Sequence, residues 1–460
     1  MLNSRMIENA ISNNTIPKEL FKCHGVKSGL RNSDGSGVLV GLTKIGDVKG
    51  YDSVDGKIIP SRGQLTYRNH TIEEIIKKYE GATCFEETAY LLLFGHFPSI
   101  EELNNFQSIL SLSRTLPPDF TENMILKNPS RSIMNKIQRA LLVLYSYDDN
   151  PEDMSIDNQL IQCIRLIAAL PTILSYGYHA KAHYFQGKSL YIHKPDLNKR
   201  TAANILHMLR PDNQYTQLEE RVLDMLLVLH AEHGGGNNST FTTTVVTTTG
   251  TDTYSAMAAA VGSLKGPKHG GANELVGTMI DDIIANCHNR DISSLKEYLR
   301  KIISMETNNQ LGLIYGLGHA VYTKSDPRAE ILKEKAKLLA EEKNQLPLYY
   351  LYENIESIGK KLIFELKGKQ ICANTDFYAN LVYRLLNIPR DLYTPLFSAA
   401  RIVGWSAHRI ETLLSNPKIL RPAYRYIKWK RIHNSILFYW KHYIPLYFSQ
   451  YIYIFKIVWI

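Results

Sequence analysis

From Tyr67 onward the apolar residues of this chain recur at helical spacing in one segment after another, and this pattern constrains the fold more than any other feature. Residues 86–94 read as an apolar-rich helix. Pro98-Ser99 opens another, with Ser99 and Glu102 spaced so that each side chain reaches the other's backbone N–H, a capping box. Residues 160–176 and 218–229 repeat the pattern. Asp326-Pro327 marks a further helix start, a capping carboxylate followed by proline at the position where its missing N–H does no harm, and that helix is expected to end near Glu342. Before Tyr67 the signals differ. The first 35 residues are polar and predict a short helix with a loose lead-in. Residues 38–67 alternate, with turn signals at Asp55-Gly56 and Pro60, and predict a small β-hairpin. One stretch in the helical part dissents: residues 240–251 are rich in Thr and Val, and their propensity alone says strand. No internal repeat or low-complexity tract is present.

A chain of 460 residues can bury a large core and is expected to form two or three domains. Hydrophobic residues make up 44% and charged residues 21%, proportions that exclude a disordered chain. Five cysteines, Cys23, Cys84, Cys163, Cys287 and Cys372, are scattered without a Cys-x-x-Cys pair. This argues for a reducing compartment and against a disulfide framework or a cysteine zinc site. Residues 1–19 lack the apolar core of a secretory signal and the arginines of a transit peptide, so a cytoplasmic location is expected. The net charge of +9 is concentrated at one end: residues 421–460 hold seven Lys/Arg and no Asp or Glu, which leaves about +2 for the rest. A general nucleic-acid-binding surface is therefore not indicated, whereas a few cations near a site would suit an anionic substrate.

The chemistry-bearing motifs come in a fixed order. His230-Ala231-Glu232-His233-Gly234-Gly235-Gly236-Asn237-Asn238 is followed by His269-Gly270-Gly271-Ala272-Asn273-Glu274, in which an imidazole lies in a glycine-rich turn. Gly316-Leu317-Gly318-His319 and Asp326-Pro327-Arg328 come next, then Asn374-Thr375-Asp376-Phe377-Tyr378 and Ala400-Arg401-Ile402-Val403-Gly404-Trp405. Each alone has an ordinary explanation: a turn histidine, a helix-capping aspartate, a solvated arginine. His230 and His233, one helical turn apart, could also be metal ligands, but no local carboxylate or cysteine completes a zinc set, and no metal is expected. Taken together and in this order, from Gly63-Gln64-Leu65-Thr66-Tyr67-Arg68 to Arg421-Pro422, the motifs resemble those of the citrate synthase family.

That resemblance implies an all-α, two-domain fold with a short N-terminal hairpin. Residues 1–268 would begin the large domain, 269–386 would form the small one, and 387–425 would return to the large one, with the site in the cleft between them. It also implies that residues 240–251 are helical, because tertiary context overrides weak propensity. The implied reaction is condensation of acetyl-CoA with oxaloacetate and water to citrate and CoA, with acetyl-CoA as co-substrate and no tightly bound cofactor. Asp376 would be the base that deprotonates the acetyl methyl group, a role helped by a carboxylate pKa raised on burial. His269, held neutral, would stabilise the enolate oxygen, and His319 would polarise the ketone of oxaloacetate. Arg328, Arg401 and Arg421 would bind its carboxylates through paired hydrogen bonds, with His233 and His230 as further substrate contacts. Arg421 would reach the neighbouring site of a homodimer. Lys324 and Lys369 are the candidate cations for the CoA phosphates.

Three departures from the family pattern stand out: Gly234-Gly235-Gly236 replace a usual carboxylate and glutamine, Leu317 stands where an aromatic is commoner, and about nine extra residues separate His269 from His319 relative to short bacterial members. They leave the acyl-CoA preference open, with 2-methylcitrate synthesis from propionyl-CoA as the alternative and a membrane-associated scaffold without activity as a remoter one. Residues 426–460 depart outright, being dense in Tyr, Phe, Trp, Ile and Lys. The segment 436–460 is long enough to cross a bilayer, but Lys441, His442, Pro445 and Lys456 interrupt it. Membrane contact by this tail and a non-native extension both remain open.

Overall fold

The computed structural model describes residues 3–54, 57–287, 291–415 and 418–427. It consists of two compact units, residues Met1–Ile419 and Leu420–Ile460. The proposed membrane-contacting segment 436–460 lies outside the described residues.

Among the described residues the first unit is mainly helical, with one three-stranded antiparallel sheet. Two helices, Tyr393–Leu414 and Ile156–Gln186, run through its core, and Trp405, Arg401 and Arg409 on the first are fully buried. The second is long and apolar enough to span a membrane, but most of it is buried inside the protein, as a core helix is. Around them pack Phe85–Phe94, Ile133–Leu144, Gln217–Ala231, Asn238–Thr247 and Thr253–Leu264. Pro327–Glu342 packs on Gln217–Ala231, while Ala272–Asn286 and Pro327–Glu342 both pack on Thr375–Leu385.

The local signals account for many boundaries. The Ser99–Glu102 capping box forms, with Ser99 N–H donating to Glu102 Oε2 at 2.8 Å and Glu102 N–H to Ser99 Oγ at 3.3 Å. Asp326 caps Pro327–Glu342, with proline in its first turn. The Thr-rich stretch forms the helix Asn238–Thr247. Its threonines fold their hydroxyls back onto the helix, Thr242 to the Asn238 carbonyl at 2.8 Å and Thr243 to that of Ser239 at 3.0 Å, which removes the polar objection to helix. The N-terminal region holds two short helices, Ser4–Asn14 and Lys18–Cys23, where one was expected.

The hairpin pairs Gly46–Val54 with Lys57–Tyr67, so its first strand starts later than the alternation suggested. Pro60 is not a turn residue: it lies within the second strand, opposite Tyr51 and beside the register shift at Lys49/Tyr51. Proline is tolerated there because the short third strand, His70–Thr71, pairs only with Thr66 and Tyr67 and asks for no N–H from Pro60. Two glycines of this hairpin are positions of close approach. A side chain at Gly50 would overlap the Val321 carbonyl, and one at Gly63 would overlap the Ser325 carbonyl. The hairpin is thereby clamped onto the loop that carries His319.

Candidate active site

Helix Gln217–Ala231 delivers His230 at its last turn and His233 just beyond it. Both imidazoles are buried, and burial, reinforced by Arg328 and Arg401, pushes their pKa values well below the ordinary histidine range. His230 Nε2 lies 3.4 Å from Thr375 Oγ1, and its ring packs at 4.3 Å on Phe397. His230 Nδ1 and His233 Nε2 have no hydrogen-bond partner among the described residues. Glu232, between the two, turns the other way: its Oε1 accepts from the Gly234 N–H and lies 3.0 Å from His408 Nε2.

His319 follows Gly316 and Gly318, whose φ angles of +83° and +102° suit glycine. This loop is zipped to the start of the Asp376 helix. Gly318 N–H donates to the Cys372 carbonyl at 2.8 Å, Asn374 N–H to that of Gly316 at 2.9 Å, and Asn374 Nδ2 to that of Gly318 at 2.9 Å. His319 Nδ1 accepts two backbone N–H groups, from Val321 at 3.0 Å and Tyr322 at 3.1 Å. An atom that accepts twice bears no proton, so the neutral ring carries its proton on Nε2. Burial and the Arg328 guanidinium lower its pKa to about 4. The ring meets His233 edge-on at 5.2 Å and stacks on Tyr322 at 4.7 Å.

His269 lies in the turn before Ala272–Asn286 and is also held neutral, its pKa pushed down to about 4 by burial and then by Arg401. Its Nε2 lies 3.0 Å from Ser239 Oγ, which accepts the Trp405 indole N–H at 3.1 Å and lies 2.9 Å from Asn237 Oδ1. The Ser239 proton has two possible acceptors, Asn237 and His269. When it turns to His269 Nε2, the ring's own proton is left on Nδ1.

Asp376 is not the cap of its helix; Asn374 is, accepting the Asp376 N–H at 3.0 Å. The Asp376 carboxyl lies in the first turn of Thr375–Leu385, where burial raises its pKa to about 6 against the lowering effects of Arg328 and Asn273. Asn273, four residues past His269, donates to the Asp376 carbonyl at 3.2 Å and to Oδ1 at 3.4 Å.

The arginines divide. Arg401 is fully buried; its Nε donates to the His230 carbonyl at 2.6 Å, while Nη1 and Nη2 have no partner among the described residues. Burial lowers its pKa to about 10, with the Glu232 carboxylate opposing. Arg328 is buried and forms a two-pronged pair with Asp326 at 3.0 and 2.8 Å. Arg421 belongs to the second unit and is exposed. Lys324 and Lys369 are exposed. Among the described residues no group of three or more His, Cys, Asp or Glu is placed to hold a metal ion. Ser239 and His408 escaped the sequence reading, and Glu232, Asn273 and Trp405 lie within its motifs but received no role. Ser239 lies beside a motif, but nothing in the spacing of these residues marks their distant partners.

Chemically, the cluster of His233, His269, His319, Asp376, Arg328 and Arg401 can bind an anion, remove a proton and donate hydrogen bonds from uncharged rings. Comparison with known proteins identifies its class. The family model described as citrate synthase, C-terminal domain, matches residues 34–423. The chain belongs to the citrate synthase family, a family of acyl-transferring condensing enzymes, and has its all-α fold. It is 33% identical to the citrate synthase of Deinococcus radiodurans over 80% of this chain and 90% of that one. It is equally 33% identical to the 2-methylcitrate synthase of Shewanella oneidensis, over 79% and 88% of the two chains. Among solved structures it is similar to citrate synthase from Thermoplasma acidophilum in a ternary complex with carboxymethyl coenzyme A and oxaloacetate, with a TM-score of 0.73, 26% identity and coverage of 90% of this chain and 99% of that one.

Proposed function

We propose that this protein condenses acetyl-CoA with oxaloacetate and water to give citrate and CoA, using no tightly bound cofactor. The observation that carries the reading is Arg401: a buried guanidinium with two unpaired nitrogens, beside neutral imidazoles and a carboxyl of raised pKa. Leaving such donors buried and unmet is costly, and a carboxylate ligand relieves it. In this reading Arg401, Arg328 and the partner-reaching Arg421 bind the two carboxylates of oxaloacetate, with His230 and His233 completing its pocket. The Nε2–H of His319 donates to the ketone oxygen and polarises the carbon to be attacked.

Asp376 removes a proton from the acetyl methyl group. Ser239 donates to His269 Nε2, so that the Nδ1–H of His269 meets the thioester oxygen as charge develops on it. A neutral donor suits this step because the proton is shared and not lost. The enol carbon then bonds to the ketone carbon, and water releases CoA from citryl-CoA in the same pocket. Lys324 and Lys369 supply charge to the CoA phosphates. The small domain, residues 269–386, closes on the large one over the substrates, and the working form is a cytoplasmic homodimer. The Thermoplasma acidophilum complex with a CoA derivative and oxaloacetate supports this substrate pair.

A second reading, 2-methylcitrate synthesis from propionyl-CoA, is favoured by relatives of that name at equal identity. One methylene shifts selectivity by only about 1–3 kcal/mol. Thiol release measured with oxaloacetate and each acyl-CoA decides between the two. Release with neither overturns the reaction.

A further inference from the structure

The motif Gly63–Arg68 has no part in the chemistry above, yet it touches both histidine-bearing segments. At one end lies Tyr67, fully buried, its hydroxyl within 2.9 Å of the Val228 carbonyl, 3.0 Å of the Glu232 carbonyl and 3.2 Å of the Glu232 N–H. Helix Gln217–Ala231 runs straight into an extended residue, Glu232, at φ −144°, without a left-handed cap. Its last carbonyls therefore need other donors. Tyr67 Oη serves one of them and Arg401 Nε serves that of His230. The phenol thus fixes where the helix stops and where His230 and His233 leave it.

At the other end, Gly63 N–H donates to Ser325 Oγ at 3.1 Å, and Tyr322 Oη donates to the Gln64 carbonyl at 3.3 Å. Tyr322 in turn stacks on the His319 ring and gives its N–H to His319 Nδ1. Between the two ends lie four residue steps of one strand, roughly 13 Å of extended chain that neither stretches nor compresses readily.

We infer that strand residues 63–67 are a spacer that sets the separation between the His230–His233 turn and His319, and that Tyr67 is a positioning residue for oxaloacetate. The inference rests on the reaction proposed above. A tyrosine that only filled the core would affect stability alone; one that aims His230 and His233 acts on one substrate and spares the other.

Tyr67→Phe keeps the ring and removes the cap. It is expected to raise KM for oxaloacetate about tenfold, the worth of one buried hydrogen bond, while KM for acetyl-CoA stays within about twofold. A folded variant with both KM values unchanged, or with both raised alike, overturns the inference. If Tyr67→Phe does not fold, Tyr322→Phe carries the test from the other end: kcat is expected to fall several-fold at unchanged Tm, and an unchanged kcat overturns the spacer. If the wild-type protein releases thiol with neither acyl-CoA, the reaction fails and not the spacer. The spacer is then read from the ring-proton NMR shifts of His233 and His319, whose rings meet edge-on and should both shift in Tyr322→Phe as their separation changes; unchanged shifts sink it.

Discussion

Arg401 and Arg409 stand two turns apart on the same helix, both fully buried. Every nitrogen of Arg409 is used: Nε and Nη2 donate to Gln159 Oε1 at 3.1 and 2.7 Å, Nη1 to Thr247 Oγ1 at 3.1 Å and Nη2 to the Thr251 carbonyl at 2.7 Å. Arg401 uses Nε alone. The first is a knot tying helix Ile156–Gln186 to the loop around Thr251, and folding completes it. The second is left incomplete by folding and awaits a ligand. Burial does not separate a structural charge from a binding one; the count of unmet donors does. The carboxyls divide the same way. Glu219, bonded to Arg210, Lys343 and its own helix cap, is held down to about 2 despite its burial, while Asp376 is pushed up to about 6.

The largest effect should come from the carboxyl of raised pKa. Asp376→Asn is expected to lower kcat by roughly 100- to 10,000-fold, the usual cost of losing a general base, with oxaloacetate binding kept. More than a tenth of wild-type turnover removes Asp376 from the mechanism. The pH profile sharpens this. The base must be ionised, so kcat/KM for the wild type should fall about tenfold per pH unit below about 6. His269 and His319, lowered to about 4, stay neutral until the pH nears 4 and add no limb of their own above it.

The arginine pair gives a cross-over. Arg401→Met should raise KM for oxaloacetate at least about a hundredfold, since two charge-assisted hydrogen bonds of roughly 1.5–3 kcal/mol each are lost, at a stability cost of about 1–3 kcal/mol for the single bond to the His230 carbonyl. Arg409→Met should cost roughly 3 kcal/mol or more of stability and leave the KM of the folded fraction unchanged. Denaturant unfolding paired with kinetics checks both, and equal behaviour of the two variants breaks the comparison.

A smaller effect concerns Arg421. Mixing Arg421→Ala chains with Asp376→Asn chains should restore activity, to about half that of a wild-type dimer in each verified hybrid, because one site then carries neither defect. No recovery places Arg421 outside the neighbouring site. Smallest of all, deleting residues 427–460 should leave thiol release within a few-fold of wild type, as every residue with a proposed role precedes them. A folded but inactive truncation contradicts this, and flotation with lipid vesicles tells a membrane contact from a mere extension.

Much of the fold was legible because its signals are local. The Ser99–Glu102 box and the Asp326-Pro327 start depend on neighbours three residues apart or fewer, and both formed. Pro60 misled because whether a strand proline is tolerated depends on which edge is paired, a fact of the whole sheet. The candidate site was legible as motifs, and the structure gathers His230, His233, His269, His319, Asp376, Arg328 and Arg401 within one unit. Their partners were not. Ser239 meets His269 across 30 residues, Asn273 meets Asp376 across 103, and Tyr67 meets Glu232 across 165. Nothing in the spelling of a serine or a tyrosine says which distant imidazole or carbonyl it will serve.

The two backbone N–H groups on His319 Nδ1 have a consequence for reactivity. Electrophiles that label histidines attack a bare nitrogen lone pair. In this ring one nitrogen's lone pair is already committed to Val321 and Tyr322, and the other nitrogen carries the proton. His319 is therefore a poor nucleophile, an imidazole stripped of the reactivity for which histidine is usually kept and left with a single capacity, to donate.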